Sequence, residues 1–290
     1  MPQSRTFTPD AIAFQGAHGA YSDMACRAAF PGVKTIACGT FDEAFLAVSS
    51  GKTDLAMIPV DNTIAGRVAD VHRLMPQNDL YIIAEYFQPI HHHLLGVKGA
   101  KKETLQFVHS HVHAIPQCRK MIARLNLTAR VHADTAGAAQ EIANNKDPAH
   151  GAIASELAAE IYGLDILERN VHDEHHNTTR FLLLAREPHM PESHNNVITS
   201  LIFEVRNIPA ALYKALGGFA THGLSLTKLE SYVDANFQAA RFYCEIEAHP
   251  ESESFKLALE ELGFFAKDVR FLGAYPAHGF RKTAAQRSQG

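Results

Sequence analysis

The sequence predicts an α/β protein in two successive parts: a two-lobed unit with a cleft at its crossings, then a smaller β-α-β-β-α-β sandwich of ferredoxin-like type. Three observations carry this expectation. Short apolar runs alternate with amphipathic stretches through roughly the first 185 residues, the signature of strands exchanging with helices. A proline-rich polar stretch (Pro188, Pro191, Glu192, Ser193, His194, Asn195, Asn196) then breaks the pattern. The length of 290 residues is about twice that of a usual domain.

Ala11–Phe14 reads as a compact buried strand ending at Gly16, and Thr35–Cys38 as a second. Thr40-Phe41-Asp42-Glu43 is a capping box, and Phe41, Ala44, Phe45 and Val48 follow at the spacing of one buried helix face. Leu55–Val60 is a third strand, with a helix carrying Val68, Val71 and Leu74 behind it. A second set begins near Tyr81: strand-like Tyr81–Tyr86, Gln106–His109, Ala129–His132 and Ala152–Ala154, with helical patterns between them. Arg180–Ala185 returns as a very apolar strand after this set is complete. One lobe is therefore expected over residues 10–80 with 178–187, the other over 81–177, within a domain covering 1–190.

In the second part, Leu201, Phe203 and Val205 alternate as a strand, and Asn207 and Pro209 open a helix that Gly223 ends. Leu224–Val233 and Phe242–Ala248 form a strand pair, Ser252–Leu262 a helix and Val269–Ala274 the last strand, filling a domain over 197–276. Residues 277–290, with Arg281, Lys282 and Arg287, are expected to be a flexible tail.

Composition narrows the function. A net charge of −4 without a basic stripe argues against nucleic-acid binding. Apolar runs such as Phe181–Ala185 fall far short of the roughly 18 residues that span a bilayer, and Met1–Thr6 lacks a signal-peptide core. A cytoplasmic protein without a membrane partner is expected. Cys26, Cys38, Cys118 and Cys244 are scattered, as buried small hydrophobes would be.

Several polar groups sit at strand ends, where open α/β sheets bind ligands. Gly16-Ala17-His18-Gly19-Ala20-Tyr21-Ser22 offers backbone amides that can wrap an anion, or is merely a tight βα turn. It lacks the third glycine of a dinucleotide fingerprint, and no Gly-Lys-Ser/Thr follows. Asp61, Asn62 and Thr63 end the third strand, Ser110 and Gln117 bracket another junction and Ser155 opens a third helix; each is a ligand group or a helix cap. Thr179 and Phe181 share one strand face while Arg180 points oppositely. The histidine runs 91–93, 109/111/113 and 172/175/176 complete no recognised zinc geometry, so hydrogen-bonded or solvated histidines are expected and no metal site.

These residues, taken together, resemble bacterial prephenate dehydratase followed by an ACT regulatory domain. The matching segments are Ala13–Gly16 through Tyr21-Ser22, the Gly51–Gly66 stretch, Ser110-His111 through Gln117-Cys118, Gly151–Ser155, Tyr162–Leu164, Asn177–Phe181 and Leu226–Ser231. The likeness runs from Ile12 to about Pro276, and its specificity lies in the order and spacing of the pieces.

The resemblance implies a periplasmic-binding-protein-like catalytic domain, a ferredoxin-like ACT domain, and decarboxylative dehydration of prephenate to phenylpyruvate on the route to phenylalanine. It implies no metal, nucleotide or organic cofactor. Thr179 is implied to meet the leaving hydroxyl, with Asn62, Ser110 and Gln117 orienting the substrate as the other catalytic-site groups. Tyr21, Ser22, Asp61, Thr63, Ser155, Arg180 and Phe181 complete the implied substrate site. Phenylalanine is the implied effector, at Ala210, Leu212, Gly223, Leu224, Ser225, Leu226, Thr227, Glu230 and Ser231 between paired ACT units, hence a homodimer or homotetramer.

The chain departs from the family pattern in places. Asp61-Asn62-Thr63 stands for the common Glu-Asn-Ser, and Ser110-His111-Val112-His113 for Ser-His-Pro-Gln. Ala210-Ala211-Leu212 replaces Gly-Ala-Leu, and Tyr232-Val233 follows Glu230-Ser231 where Arg-Pro is usual. Two alternatives to the prephenate reaction are dehydration of arogenate and a non-catalytic amino-acid or carboxylate sensor on the same two-lobed scaffold.

Overall fold

Ala11–Gln15 (β1) is a strand buried through its middle: Ile12, Ala13 and Phe14 are wholly inaccessible, as expected for a central parallel strand. A computed structural model of the chain describes residues 8–174, 176–233 and 239–282. After β1 come α1 (Tyr21–Ala29), β2 (Lys34–Cys38), α2 (Phe41–Ser49) and β3 (Leu55–Asn62). The Thr40–Glu43 capping box forms as its spacing predicts: Glu43 N–H donates to Thr40 Oγ1 at 3.2 Å, and Gly39 N–H to Glu43 Oε2 at 2.8 Å. Next are β4 (Gly66–Arg67), α3 (Ala69–Leu74) and β5 (Tyr81–Pro89).

The second lobe holds β6 (His93–Gly96), β7 (Phe107–His111), α4 (Arg119–Arg124) and β8 (Thr128–His132). It continues with α5 (Thr135–Asn145), β9 (His150–Ala154), α6 (Glu156–Tyr162) and β10 (Asp165–Glu168), and the chain then returns through β11 (Thr178–Ala185). The first sheet has the order β2-β1-β3-β11-β5, with β4 on β3; the second is β10-β6-β9-β7-β8. Leu94, Val108, Cys118, Met121 and Ile153 pack the second lobe's core. All four cysteines are free and buried.

Three expectations change. The strand near Tyr81 belongs to the first sheet, so the second lobe begins only after Pro89. Adjacency in sequence suggested a new lobe, whereas β5 pairs beside β11, the strand that returns 90 residues later in the chain's crossing. β3 runs through Asn62 and turns into β4, so neither Asp61 nor Asn62 caps a helix. β7 ends at His111, so His113 leaves the strand face that His109 and His111 were to share with it.

The remainder is β12 (Val197–Val205), α7 (Ala211–Thr221), β13 (Leu226–Val233), β14 (Ala239–Ile246), α8 (Glu253–Phe265) and β15 (Ala266–Pro276). Their sheet order, β13-β14-β12-β15, is that of a ferredoxin-like sandwich. Phe203, Phe219, Phe242, Cys244, Phe255 and Leu262 meet between sheet and helices. Ala210, at the start of α7, has φ +59°. That left-handed conformation suits glycine and costs an alanine roughly 1 kcal/mol.

Among the described residues, contacts divide the chain into two compact units, one of residues 8–77 with Tyr86–Leu182, the other of Asn78–Glu85 with the chain after Leu182. The division therefore falls inside β5 and β11 instead of at the 188–196 linker. Within the latter unit, Gly273 carries φ +148°, and a Cβ there would overlap the Ile82 carbonyl, so β15 can approach β5 only as glycine.

The start of the expected tail is built into that same unit. Arg281 Nε and Nη2 donate to Glu85 at 2.7 and 2.8 Å, and Nη2 donates to Glu245 at 2.9 Å. Both carboxylates are fully buried. Residues 277–282 are thus anchored by a cation shared between two buried anions, while Arg287 and His175 lie outside the described residues. No helix among the described residues is long and apolar enough to cross a membrane.

Candidate active site

Strand ends of both lobes open on a cavity of about 840 Å³, a size suited to a small-molecule ligand. Of the expected residues, Tyr21, Ser22, Asn62, Gln117, Thr179 and Phe181 line it. It also holds polar residues not assigned to the site from sequence, His92 and Asn177 among them, with Asp42, Arg67, Asp70, Arg73 and Asp134. The signals for the first two were a triple-histidine run and the head of the matching Asn177–Phe181 stretch.

A hydrogen-bonded chain joins these side chains. Asn62 Oδ1 accepts from the backbone N–H groups of Ile64 and Ala65 at 2.9 and 2.8 Å, an Asx-type turn that closes the β3–β4 hairpin. Its amide nitrogen must therefore face the other way. There it donates to Thr179 Oγ1 at 2.9 Å and to Asn177 Oδ1 at 2.8 Å. Asn177 Nδ2 donates to Gln117 Oε1 at 2.6 Å, which also meets His92 Nε2 at 3.2 Å. Gln117 Nε2 donates to the His113 carbonyl at 2.8 Å, and the Tyr21 hydroxyl lies 2.8 Å from both His92 Nδ1 and the His91 carbonyl.

Other expected site residues are built in differently. Ser110 is fully buried and donates to the Ile153 carbonyl at 2.6 Å, tying β7 to β9. Ser155 is also fully buried: it caps α6 by accepting from Ala158 N–H and donates to the Gly19 carbonyl at 2.5 Å. Gly19 makes that joint possible, because a Cβ on it would come within 2.7 Å of the Ala158 Cα. Neither serine lines the cavity. A short hydroxyl that finds a backbone carbonyl is swallowed by the fold, and sequence does not display that partner.

Asp61 and Arg180 pair at 3.7 Å away from the cavity lining, and Arg180 also faces the Phe87 ring at 6.0 Å. Thr63 Oγ1 donates to the His176 carbonyl and accepts from Thr178 N–H, stitching the β3–β4 turn to the start of β11. Three amides of the glycine-rich loop are engaged within the fold. Gly19 N–H donates to the buried Asp23 carboxylate at 2.9 Å, and the Gly16 and Ala20 amides are spent on the Cys38 and Ala17 carbonyls.

His92, on the cavity wall, is held neutral. Burial, partly opposed by the bond to Gln117, pushes His92 down from 6.5 to about 4. Burial also lowers His93, His109 and His111. Such groups take up protons in the unfolded chain first, so native stability is complete above about pH 6.5 and is lost as pH falls toward 4. His92 alone accounts for about 3 kcal/mol across that window. Urea unfolding at a series of pH values should show this decline, and a flat profile between these limits would contradict it.

In the ferredoxin-like unit, Ala210 and Leu212 sit at one end of α7, while Gly223, Leu224 and Ser225 follow its other end and Leu226, Thr227, Glu230 and Ser231 lie on β13. Eleven helical residues put Ala210 roughly 16 Å from Gly223, while β13 runs back alongside α7.

Fold and site define the class: a two-lobed α/β domain with a ligand-sized cavity, followed by a ferredoxin-like unit. The chain belongs to the prephenate dehydratase family, whose profile matches residues 12–189, and it is an enzyme of that family. It is 46% identical over 273 residues to a bifunctional N-acyl-homoserine lactone acylase/prephenate dehydratase of Komagataeibacter europaeus, covering 93% of this chain and 97% of that one. It is 39% identical to arogenate dehydratase/prephenate dehydratase 1 of Arabidopsis thaliana, a chloroplastic protein, over 91% of this chain and 71% of that one. Among solved structures, a prephenate dehydratase of Arthrobacter aurescens in complex with L-Phe superposes with a TM-score of 0.84 at 26% identity, covering 96% of this chain and 98% of that one.

Proposed function

We propose that the enzyme converts prephenate to phenylpyruvate, carbon dioxide and water in phenylalanine biosynthesis, with Thr179 donating to the departing ring hydroxyl. The observation that carries this reading is the fixed sense of the Asn62–Thr179 bond. Backbone amides of Ile64 and Ala65 hold the Asn62 oxygen, so the Thr179 oxygen accepts from Asn62 Nδ2 and its single proton is directed elsewhere. Thr179 lines the cavity, where that proton is available to a bound oxygen.

The chemistry needs such a donor. The ring carboxylate leaves as carbon dioxide, and its electron pair enters the ring. The C–O bond at the opposite carbon breaks, and the hydroxide takes up one proton to become water. Aromatisation supplies the driving force, and the poor leaving group sets the need for a hydrogen bond that strengthens as charge develops. A threonine is too weak an acid to give up its proton outright, so its contribution is polarisation and alignment. Gripping the ring carboxylate would stabilise the ground state more than the transition state, so the pyruvyl carboxylate is the better anchor. Incubating the purified protein with prephenate and following phenylpyruvate in alkali tests the reading; an inert protein removes it.

Two names among the relatives call for parallel assays. The Arabidopsis relative is named for arogenate as well as prephenate, so competition between the two substrates decides preference. The Komagataeibacter relative is also named an N-acyl-homoserine lactone acylase, an activity that release of homoserine lactone from an acylated substrate would detect.

Phenylalanine is the proposed effector, supported by the L-Phe complex of the Arthrobacter aurescens enzyme. A site between paired ferredoxin-like units would use a second copy of the chain. Saturating phenylalanine is expected to lower the rate of a dimer or larger assembly in sedimentation. An unchanged rate would remove phenylalanine as the effector.

A further inference from the structure

Gln117 is buried, yet it lines the cavity, and three of its four side-chain hydrogen-bonding positions are filled. Its oxygen faces two donors, Asn177 Nδ2 at 2.6 Å and His92 Nε2 at 3.2 Å. Its nitrogen gives one proton to the His113 carbonyl at 2.8 Å. The fourth group is the second amide proton, which has the cavity before it. Turning the carboxamide over would set nitrogen against the Asn177 amide and oxygen against the His113 carbonyl, two like-against-like contacts.

The sense of this arrangement starts in the backbone. Ile64 and Ala65 N–H groups orient Asn62, Asn62 Nδ2 orients the Asn177 oxygen, and Asn177 Nδ2 in turn meets the Gln117 oxygen. For His92 to donate to that oxygen, the neutral ring must carry its proton on Nε2 and leave Nδ1 as an acceptor. Nδ1 faces the Tyr21 hydroxyl at 2.8 Å, whose one proton is shared between it and the His91 carbonyl.

We propose that Asn177 and His92 are positioning residues that hold the Gln117 carboxamide in one orientation, so that the substrate meets proton donors from both Gln117 and Thr179. The inference rests on the dehydratase reading of this cavity. Prephenate carries two carboxylates and a leaving hydroxyl, all of which are served by donors and repelled by an exposed amide oxygen. Amide and hydroxyl protons fixed toward the substrate are preorganised for that charge.

Asn177→Asp tests the sense of the chain with almost no change of shape. Ionised, the new side chain has no donor for the Gln117 oxygen and drives the carboxamide round; protonated, its hydroxyl donates where the amide did. The full-length variant and the unaltered protein would be assayed with prephenate from about pH 8 down to about pH 5, the range over which a buried carboxyl takes up its proton. At the upper end kcat should fall roughly tenfold to a hundredfold with KM little changed, and the ratio to the unaltered enzyme should climb as pH falls. A folded variant that tracks the unaltered enzyme at every pH would overturn the proposal. A second measurement needs no stable Asn177 variant: nitrogen NMR of histidine-labelled protein, with the His92 signal assigned by its loss in His92→Phe. A proton on Nε2 supports the proposal, and a proton on Nδ1 overturns it. If the unaltered protein is inert toward prephenate, the dehydratase reading falls by itself, which the tautomer measurement distinguishes from failure of the positioning chain.

Discussion

A Thr179→Val protein is expected to fold and to bind prephenate, yet to turn it over about 10²- to 10⁴-fold more slowly, the usual cost of deleting a donor at a poor leaving group. Valine keeps the volume and the branching of the strand residue, so Phe181 and the β11 backbone stay in place. What disappears is the hydroxyl proton facing the cavity, together with the acceptor for Asn62 Nδ2 at 2.9 Å. Leaving that amide proton without its oxygen costs about 1–3 kcal/mol of stability. Because the lost bond tightens in the transition state, kcat should carry the effect while KM stays close to its original value. Thr179→Ser, which restores the hydroxyl on a freer side chain, should recover most of the rate. If the valine protein kept its rate to within a factor of about three, Thr179 would have no part in the chemistry.

Arg281→Met should lower the stability of the unit built from 78–85 and the chain after Leu183 by about 3–5 kcal/mol. The guanidinium is shared between Glu85 and Glu245, whose side chains are 0% and 1% exposed. Glu85 also accepts from His278 N–H at 2.9 Å, and Glu245 from the Tyr243 hydroxyl at 2.6 Å. Removing the guanidinium takes charge-assisted N–H donors away from two buried carboxylates at once, and methionine fills space without replacing them. Urea unfolding of the full chain measures this directly. A loss below about 1 kcal/mol, the scale of an exposed ion pair, would mean that the arginine only decorates the end of the chain.

The α/β order of the lobes was readable because a buried parallel strand needs only a short apolar run, as at Ala11–Phe14 and Leu55–Ile58, followed by a capped helix such as Phe41–Ser49. β6 and β10 went unrecognised for the opposite reason. His93-Leu94-Leu95-Gly96 and Asp165–Glu168 are four residues each, paired antiparallel, and neither alternates cleanly nor forms a long apolar run. The membership of β5 in the first sheet depends on a strand about 90 residues further along the chain, which local periodicity does not contain.

The site was legible where a residue's role follows from its position at a strand end, as for Asn62, Gln117 and Thr179. It was illegible where the role depends on which of two partners a hydroxyl or carboxylate finds. Ser110 and Ser155 chose backbone carbonyls, and Asp61 chose Arg180. In the Gly16–Ser22 loop the sequence does not reveal that Asp23, four residues beyond Gly19, takes the Gly19 amide. His92 and Asn177 stayed hidden because what matters in them is the direction of a bond, set by the backbone at Ile64 and Ala65 and transmitted through Asn62. The start of the tail, through 282, was not legible from composition: a basic segment with few apolar residues still anchors where buried carboxylates meet its Arg281.

The most direct measurement is the yield of phenylpyruvate and carbon dioxide from prephenate with the unaltered and Thr179→Val proteins side by side, each checked for fold. Equal amounts of the two products from the first, and next to none from a second that still binds the substrate, is the predicted result. An unaltered protein that leaves prephenate intact, or a valine protein that aromatises it at the original rate, would contradict the assignment of this cavity and its threonine.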